Sequence, residues 1–499
     1  MEWLNRPITD ESSPVYWVNG LAGIGKSTIA RTVAKQAKVP VASYFFVRQH
    51  DELSNANLFV TSIARAVAEI FPDFMKSVCC ALQTDELLPR KPLDTQFTSL
   101  FFQPLQNLTL TQPLLLVVDA LDECEPKGAQ IILNNILSHC TKIPALRILI
   151  TSRPENHITS IFKRANNTRK VILHEIENAV IARDIQHYLE HWLKHIREQD
   201  EFLSIPSSWP SPVDLELLVS RAGKLFIWAA TAVKFIGDTR ILDPERQLQI
   251  ILSSSMSSQK PYAELDEMYQ VVLSNGIPNP DRLSEFQCLL ATVILLRNPM
   301  SLQNLSKFLQ IPDTRRLLIH VQSVILLPQD PEGRVEIYHP SFYDFITNSS
   351  RCDDDRFRVD VTKHERWMAL HCLELLTTGL SDAVYGIVPW HSLNASVDNL
   401  SMKLTAVVGQ EIQYACRFWA SHLGKVGLVD EELSKEMEKF TGVGMGIGKG
   451  YLLKWVIVMS MMGSVHHAIR SLQGLLPWLV SIEGSRMKIL LIDLVCRDH

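Results

Sequence analysis

The feature that most constrains this chain is a glycine-rich turn between a predicted strand and a predicted helix, in residues 15–28. Positions 20–28 read Gly-Leu-Ala-Gly-Ile-Gly-Lys-Ser-Thr, which matches G-x-x-x-x-G-K-[ST]. An apolar run precedes the turn, and apolar residues at helical spacing follow it. Glycines let backbone N–H groups approach an anion, and the N-terminus of the helix directs its positive end to the same point. The turn is therefore predicted to bind phosphate groups.

Each residue of this loop has a predicted task. Glycines 20, 23 and 25 are expected to adopt positive φ, Lys26 to reach the β- and γ-phosphates of a nucleotide, and the Ser27 hydroxyl to bind Mg²⁺. The residues predicted to contact the nucleotide here are Gly20, Gly23, Ile24, Gly25, Lys26, Ser27 and Thr28.

Carboxylates follow a second predicted strand, the continuous apolar run of residues 113–118. Ligands of open α/β sheets bind at the carboxyl ends of the strands, so Asp119 is predicted to hold Mg²⁺. Either Asp122 or Glu123 is then suited to polarise an attacking water. The alternative is that these acids only cap the helix that follows.

A third predicted strand, residues 146–151, leads into Ser152-Arg153-Pro154. Arg153 is predicted to emerge at the same edge of the sheet, where a guanidinium stabilises charge on a γ-phosphate. The alternative is an arginine that pairs with a neighbouring carboxylate. Further strands at 41–47 and 171–174 alternate with helices, which predicts an α/β core with a parallel sheet of about five strands flanked by helices.

Size and composition narrow the class of protein. A chain of 499 residues is too long for one core. Its net charge of −5 gives no reason to expect nucleic acid as a partner. No apolar stretch is long enough to span a membrane, and no signal peptide precedes the first strand. Nine scattered cysteines suggest no disulfide framework, which favours a reduced, cytoplasmic location.

Taken together, these motifs resemble the NACHT family of signal-transduction NTPases, a STAND-class family, and particularly its fungal, NOD-like receptor members. The specific mark is the small Ala120 directly after Asp119, followed by Leu-Asp-Glu. The resemblance continues in residues 222–230, called the lid segment below, in residues 265–269, and in Tyr-His-Pro-Ser-Phe-Tyr-Asp-Phe at 338–345. Within the lid segment, Phe226 and Lys224 stand where related proteins often have proline and glycine.

The resemblance and the composition shifts predict five parts. These are an N-terminal linker remnant (1–13), the P-loop NTPase core (14–176), a helical lid domain (177–258), a winged-helix domain (259–360) and a helical C-terminal domain (361–499). A hairpin is predicted around residues 330–333 within the winged helix. Its acidic tip argues against contact with nucleic acid.

The resemblance implies a switch. ADP, or GDP, would be held by Lys26, Ser27 and His339 in a closed state, although periodicity alone makes His339 an ordinary core histidine. Exchange for ATP or GTP would permit homo-oligomerisation and engagement of an unknown effector protein, and slow hydrolysis would reset the state. ATP and GTP both remain open as the nucleotide.

Two other functions fit parts of the sequence. A small-molecule kinase shares the loop pattern, although the Asp122-Glu123 pair suits the activation of water better. A non-catalytic scaffold that binds nucleotide structurally is the third possibility.

Overall fold

The computed structural model describes residues 2–5, 13–165, 168–199, 205–239, 241–253, 262–276, 280–330, 332–389, 391–426, 430–442 and 450–480. Most of the linker predicted over residues 1–13 lies outside these ranges. The chain divides into two compact units. Unit 1 comprises Met1–Ser274 and Tyr338–Tyr343, and unit 2 comprises Asn275–Ile337 and Asp344–His499.

A five-stranded parallel sheet forms the centre of unit 1 in the described part of the chain. The strand order is β2-β3-β4-β1-β5, so β2 and β5 are the edges. Strands β3 and β4 are buried along their whole length, as their continuous apolar sequences predict. The predicted α/β fold class is confirmed. The strands are β1 Val15–Asn19, β2 Val41–Phe45, β3 Leu114–Asp119, β4 Leu146–Ser152 and β5 Thr168–Ile172.

Helices surround this sheet because their apolar faces pack onto it. Aromatic rings fill the space beneath β2 and β3, where Phe59, Phe97 and Phe102 are at most 1% exposed. The helices up to the end of the sheet are α1 Glu2–Asn5, α2 Lys26–Gln36, α3 Asp51–Ser54, α4 Ala56–Ile70, α5 Pro72–Thr84, α6 Leu93–Gln96, α7 Gln103–Gln106, α8 Pro126–His139 and α9 Asn156–Arg164.

A group of helices follows β5 in unit 1. Its core comes from α12, which is apolar on nearly all sides and contains the buried Trp228. The helices are α10 Asn178–Gln199, α11 Pro212–Ala222, α12 Phe226–Ile236, α13 Pro244–Ser253 and α14 Ala263–Asn275.

The described part of unit 2 is mostly helical and contains one short hairpin, in which β6 Ile325–Leu326 pairs antiparallel with β7 Glu336–Ile337. The helices from α15 onward are α15 Leu283–Leu295, α16 Leu302–Leu309, α17 Thr314–Leu318, α18 Pro340–Ile346, α19 Val361–Gly379, α20 Leu400–Val407, α21 Gln410–Leu423, α22 Glu431–Thr441, α23 Leu452–Met461 and α24 Val465–Val480. The first residues of α18 belong to unit 1. Among the described helices, none has the length and apolarity to cross a bilayer.

A buried polar network lies inside unit 2. The Arg297 guanidinium donates to Glu365 Oε1 at 2.7 Å, and His422 Nδ1 donates to Glu365 Oε2 at 2.6 Å. The Tyr414 hydroxyl donates to His422 Nε2 at 2.9 Å and accepts from the Arg297 N–H at 3.1 Å. Glu365 and His422 are almost completely inaccessible, so each depends on these partners for its hydrogen bonds.

Candidate functional site

The predicted phosphate loop joins β1 to α2, and its backbone needs glycine at two positions. Gly23 has a φ of 78° and Gly25 a φ of 94°, both in the left-handed region. No side chain caps α2 at Gly25, so the first N–H groups of the helix remain directed at the loop. This geometry is the one that the predicted binding of phosphate requires.

Gly20 departs from the prediction of positive φ, because it does not lie in the left-handed region. Glycine is needed there for space instead. A Cβ atom at position 20 would lie 2.0 Å from Ile24 Cδ1. Ile24 is buried beneath the loop, whereas Thr28 is exposed on α2.

Lys26 folds back over the loop. Its Nζ donates to the carbonyls of Gly20 and Leu21, both at 2.8 Å. Burial lowers the pKa of Lys26 to about 8, and the nearby Asp122 carboxylate opposes this shift. The ammonium therefore lies between the loop and the acidic end of β3.

Asp119 ends β3 and is 3% exposed. Its Oδ1 accepts from Thr151 Oγ1 at 2.5 Å, and Thr151 Oγ1 in turn accepts from the Ala120 N–H at 2.9 Å. Burial raises the pKa of Asp119, and hydrogen bonds from Thr151 and Ser27 oppose the rise. The structure thus brings together Ser27 and Asp119, the two residues predicted to bind a metal.

Ala120, directly after Asp119, has a φ of 53°. This left-handed conformation is costly for any residue with a Cβ atom, alanine included. The chain turns there into the short 3₁₀ helix Leu121–Glu123, which carries the next two acids.

Asp122 and Glu123 have different partners. Asp122 accepts from the Arg153 N–H at 2.9 Å and pairs with Arg153 Nε at 3.2 Å, with both side chains largely buried. Glu123 Oε2 accepts from the Arg48 N–H at 2.9 Å, and burial raises the pKa of Glu123 to about 7. Of the two acids proposed to polarise water, Asp122 is engaged by Arg153, which leaves Glu123 as the better candidate.

His339 lies in the short segment of unit 1 that comes from late in the chain. Its Nδ1 accepts from the Ser341 N–H at 3.1 Å and lies 2.7 Å from Ser341 Oγ, which in turn contacts the Tyr269 hydroxyl at 2.7 Å. Burial, and then the charges of Arg153 and Lys26, lower the pKa of His339 to about 3. The ring is therefore neutral, with its proton on Nε2, and it lies close enough to both cations for their charges to lower its pKa.

Some contacts of the site could not be read from the sequence. Thr151, Arg48 and Lys224 contact site residues or neighbouring backbone, yet the sequence assigned none of them a role in the site. Thr151 had a usable signal, since it lies two residues before Arg153 at the end of a buried strand. Arg48 contributes its backbone N–H, which sequence does not distinguish.

A comparison with known protein families found a match for the first part of the chain. Residues 1–153 match the family model described as Nephrocystin 3, N-terminal. That stretch ends at Arg153 and holds the phosphate loop and all three acids. No curated protein matched the chain.

Solved structures similar to the chain are distant. A Walker-type ATPase of Pyrococcus abyssi is 13% identical over 67% of this chain and 91% of that one, with a TM-score of 0.33. A signal transduction ATPase with numerous domains (STAND) and a tetratricopeptide repeat sensor, from Pyrococcus horikoshii, is 14% identical over 98% and 69%, with a TM-score of 0.34. Drosophila ORC bound to DNA is 10% identical over 92% and 93%, with a TM-score of 0.26.

These structural similarities are too low to add to the description of the fold. The parallel sheet, the loop between β1 and α2, and the acids at the end of β3 are features of the chain itself. On these features, the core of unit 1 has the fold of a P-loop NTPase.

Proposed function

We propose that this chain is a nucleotide-dependent molecular switch of NOD-like receptor type, which rests with a nucleoside diphosphate bound and hydrolyses the triphosphate slowly. The observation that carries the proposal is the convergence of Lys26, Arg153 and His339 at the acidic end of β3. Nitrogen donors around one phosphate loop suit a polyphosphate better than a single small anion.

The residues present fit a nucleotide bound with Mg²⁺. Lys26 would contact the β- and γ-phosphates, and the N-terminal turn of α2 would bind the same oxygens through its N–H groups. Ser27 and Asp119 supply oxygen ligands, which Mg²⁺ prefers, and they already contact each other through a hydrogen bond. When bound, the ion neutralises charge on the phosphate oxygens. ATP and GTP fit these contacts equally.

Glu123 and Arg153 support slow hydrolysis. A carboxyl group with a pKa of about 7 is only about half ionised at neutral pH, so it is a usable but incompletely available base for water. The contacts of Asp122 with Arg153 orient the guanidinium at the sheet edge, where it would stabilise charge on the γ-phosphate.

His339 supports a switch as opposed to a simple hydrolase. Its segment belongs to unit 1, whereas the residues on both sides of it belong to unit 2. A ligand shifts such a segment only if it binds two states with different affinity. Contacts of the diphosphate with His339, and of the γ-phosphate with Lys26 and Arg153, would supply that difference. The triphosphate state would then form homo-oligomers and engage an effector protein.

The experiment that tests the proposal identifies the nucleotide that co-purifies with the protein. Denaturing extraction and chromatography should recover about one ADP or GDP per chain from the unaltered protein and little from Lys26→Ala. Lys35→Ala is the matched control, because Lys35 lies exposed on the same helix, and it should retain the nucleotide. Loss of the Lys26 contacts should weaken affinity by about 10- to 100-fold, the range for hydrogen bonds to charged groups.

Size-exclusion chromatography with ADP and with a non-hydrolysable ATP analogue tests the switch itself. A larger species with the analogue alone supports it, and an identical profile with both nucleotides contradicts it. Transfer of labelled phosphate to a metabolite would favour the kinase alternative. Bound nucleotide that is neither hydrolysed nor able to change the elution profile would favour the scaffold.

A further inference from the structure

The lid segment contacts the phosphate loop directly. The Ile227 N–H donates to the Gly23 carbonyl at 3.0 Å. A Cβ atom at Gly23 would lie 2.1 Å from Ile227 Cγ2, and one at Gly25 would lie 3.9 Å from the Phe226 ring. The start of α12 therefore rests on the loop that is expected to hold phosphate.

This contact provides a hydrogen-bond acceptor for the first turn of α12. The first N–H groups of a helix have no partner within it, and the residue at the N-cap, Leu225, has no side-chain acceptor. The Gly23 carbonyl supplies one. The loop thus acts as part of the N-terminal cap of the lid helix, and the two elements stabilise each other.

Lys224 makes a second set of contacts that holds the same segment. Its Nζ donates to the His174 carbonyl at 2.8 Å and to the Ile176 carbonyl at 3.1 Å. Both carbonyls lie immediately after β5, which pairs with β1, the strand that leads into the phosphate loop. An ammonium has three donors and no acceptor, and its charge strengthens bonds to carbonyl oxygens. Lys224 therefore joins the lid segment to the strand beside the loop.

We infer that Lys224 is a positioning residue that holds the lid segment on the phosphate loop and thereby slows the release of bound nucleoside diphosphate. The inference rests on the proposed function and adds the residue that sets its exchange rate. Lys224 lies two and three residues before Phe226 and Ile227, so the contacts made by all three residues would have to separate when the segment lifts. Removal of the Lys224 contacts leaves the single Ile227 hydrogen bond and the packing against glycine.

The test measures the dissociation rate of a fluorescent ADP analogue, N-methylanthraniloyl ADP, chased with excess ADP. Lys224→Met keeps the apolar stem and removes the donors, and it should release the analogue about tenfold faster. Lys224→Arg keeps donors at that position and should restore most of the slow release. Lys194→Met, which removes an exposed lysine from α10, should match the unaltered protein. An unchanged rate in Lys224→Met overturns the inference.

Hydrogen exchange provides a second measurement that needs no nucleotide. In Lys224→Met, the peptide that covers residues 222–230 should exchange faster, because the Ile227 N–H loses its stable acceptor. The peptide over β3 should keep its protection. Faster exchange in both peptides would mean that Lys224 supports the whole fold, which contradicts a positioning role.

Measurements of the binding of the analogue and of its release rate separate failure of this inference from failure of the proposed function. Lys26-dependent binding of the analogue with an unaltered release rate in Lys224→Met rejects the inference alone. Absence of binding in the unaltered protein rejects the proposed function, and the inference about exchange is rejected with it.

Discussion

Asp122 and Glu123 are neighbours in sequence but differ in their partners. Asp122 pairs with the Arg153 side chain and backbone, so its carboxylate is already neutralised by a fixed cation. Glu123 has a single backbone donor, from Arg48, and a pKa raised to about 7 by burial. The charge of Glu123 therefore changes near neutral pH, and the chemistry of the site should follow it.

This difference predicts a pH profile for hydrolysis. With the ionised form of Glu123 as the proposed base, the rate should fall by about tenfold for each pH unit well below 7 and level off above about 8. Steady-state phosphate release from pH 5.5 to 8.5 measures it. Glu123→Gln should abolish both the rate and the profile, whereas Asp122→Asn should lower the rate and keep the pH midpoint. A rate that stays constant from pH 5.5 to 8.5 would reject Glu123 as the base.

At the scale of elements, two glycines of similar conformation have different surroundings. Gly23 has a φ of 78° and would place a Cβ atom 2.1 Å from Ile227 Cγ2. Gly463, with a φ of 64°, has no atom within 4 Å of the same position. The pair separates the backbone cost of a positive φ from the steric cost of the contact between the lid segment and the phosphate loop.

Gly463→Ala should therefore lower the free energy of unfolding by about 1 kcal/mol, the cost of a left-handed alanine. Gly23→Ala should lower it by about 2–4 kcal/mol, because α12 must also move away from the loop. Urea denaturation of both variants measures the difference. Equal losses would show that the contact between the loop and α12 does not constrain position 23.

How much the sequence predicts depends on the element. Continuous apolar runs marked β3 and β4 well, since both are buried throughout. The edge strand β5 was predicted at 171–174 but spans Thr168–Ile172, because its partly exposed residues carry no clear apolar pattern. Because Asp119 and Arg153 lie at the carboxyl ends of predicted parallel strands, the sequence placed both at the carboxyl edge of the sheet.

Contacts that join distant parts of the chain were less accessible from sequence. The proximity of His339 to Lys26 and Arg153 was expected only from a family resemblance, because no periodicity relates them. The bonds from Lys224 to backbone carbonyls were not expected at all, since a carbonyl leaves no trace in the sequence. The roles proposed for these residues remain predictions.

At the scale of the whole molecule, the stability of unit 2 depends on a network of buried ionisable side chains. Burial would raise the pKa of Glu365, but the hydrogen bond from His422 and the charge of Arg297 lower it below its usual value. Burial lowers the pKa of His422. A group whose pKa is lower in the folded state stabilises the fold at higher pH and loses that effect as pH falls. Unit 2 should therefore lose stability on acidification, first as His422 becomes protonated in the unfolded chain, below about 6.5.

Glu365→Gln tests this network. It leaves Arg297 without its carboxylate partner, and we expect the free energy of unfolding to fall by about 3 kcal/mol. Glu374→Gln, an exposed change on the same helix, should alter it by less than about 0.5 kcal/mol. Urea denaturation followed by tryptophan fluorescence at pH 7.5 compares the two. Similar small effects would mean that the buried carboxylate is not needed for stability.

The position of β5 at one edge of the sheet bears on how copies of this protein can meet. An edge strand has unpaired backbone N–H and C=O groups that can pair with a strand of another molecule, and natural edges are protected by charged side chains. β5 carries adjacent basic side chains, Arg169 and Lys170, which would repel the same pair on a second copy. Extension of the sheet through β5 is thus disfavoured, so a homo-oligomer that used this side of the sheet would have to assemble through side-chain contacts instead of continuing the sheet.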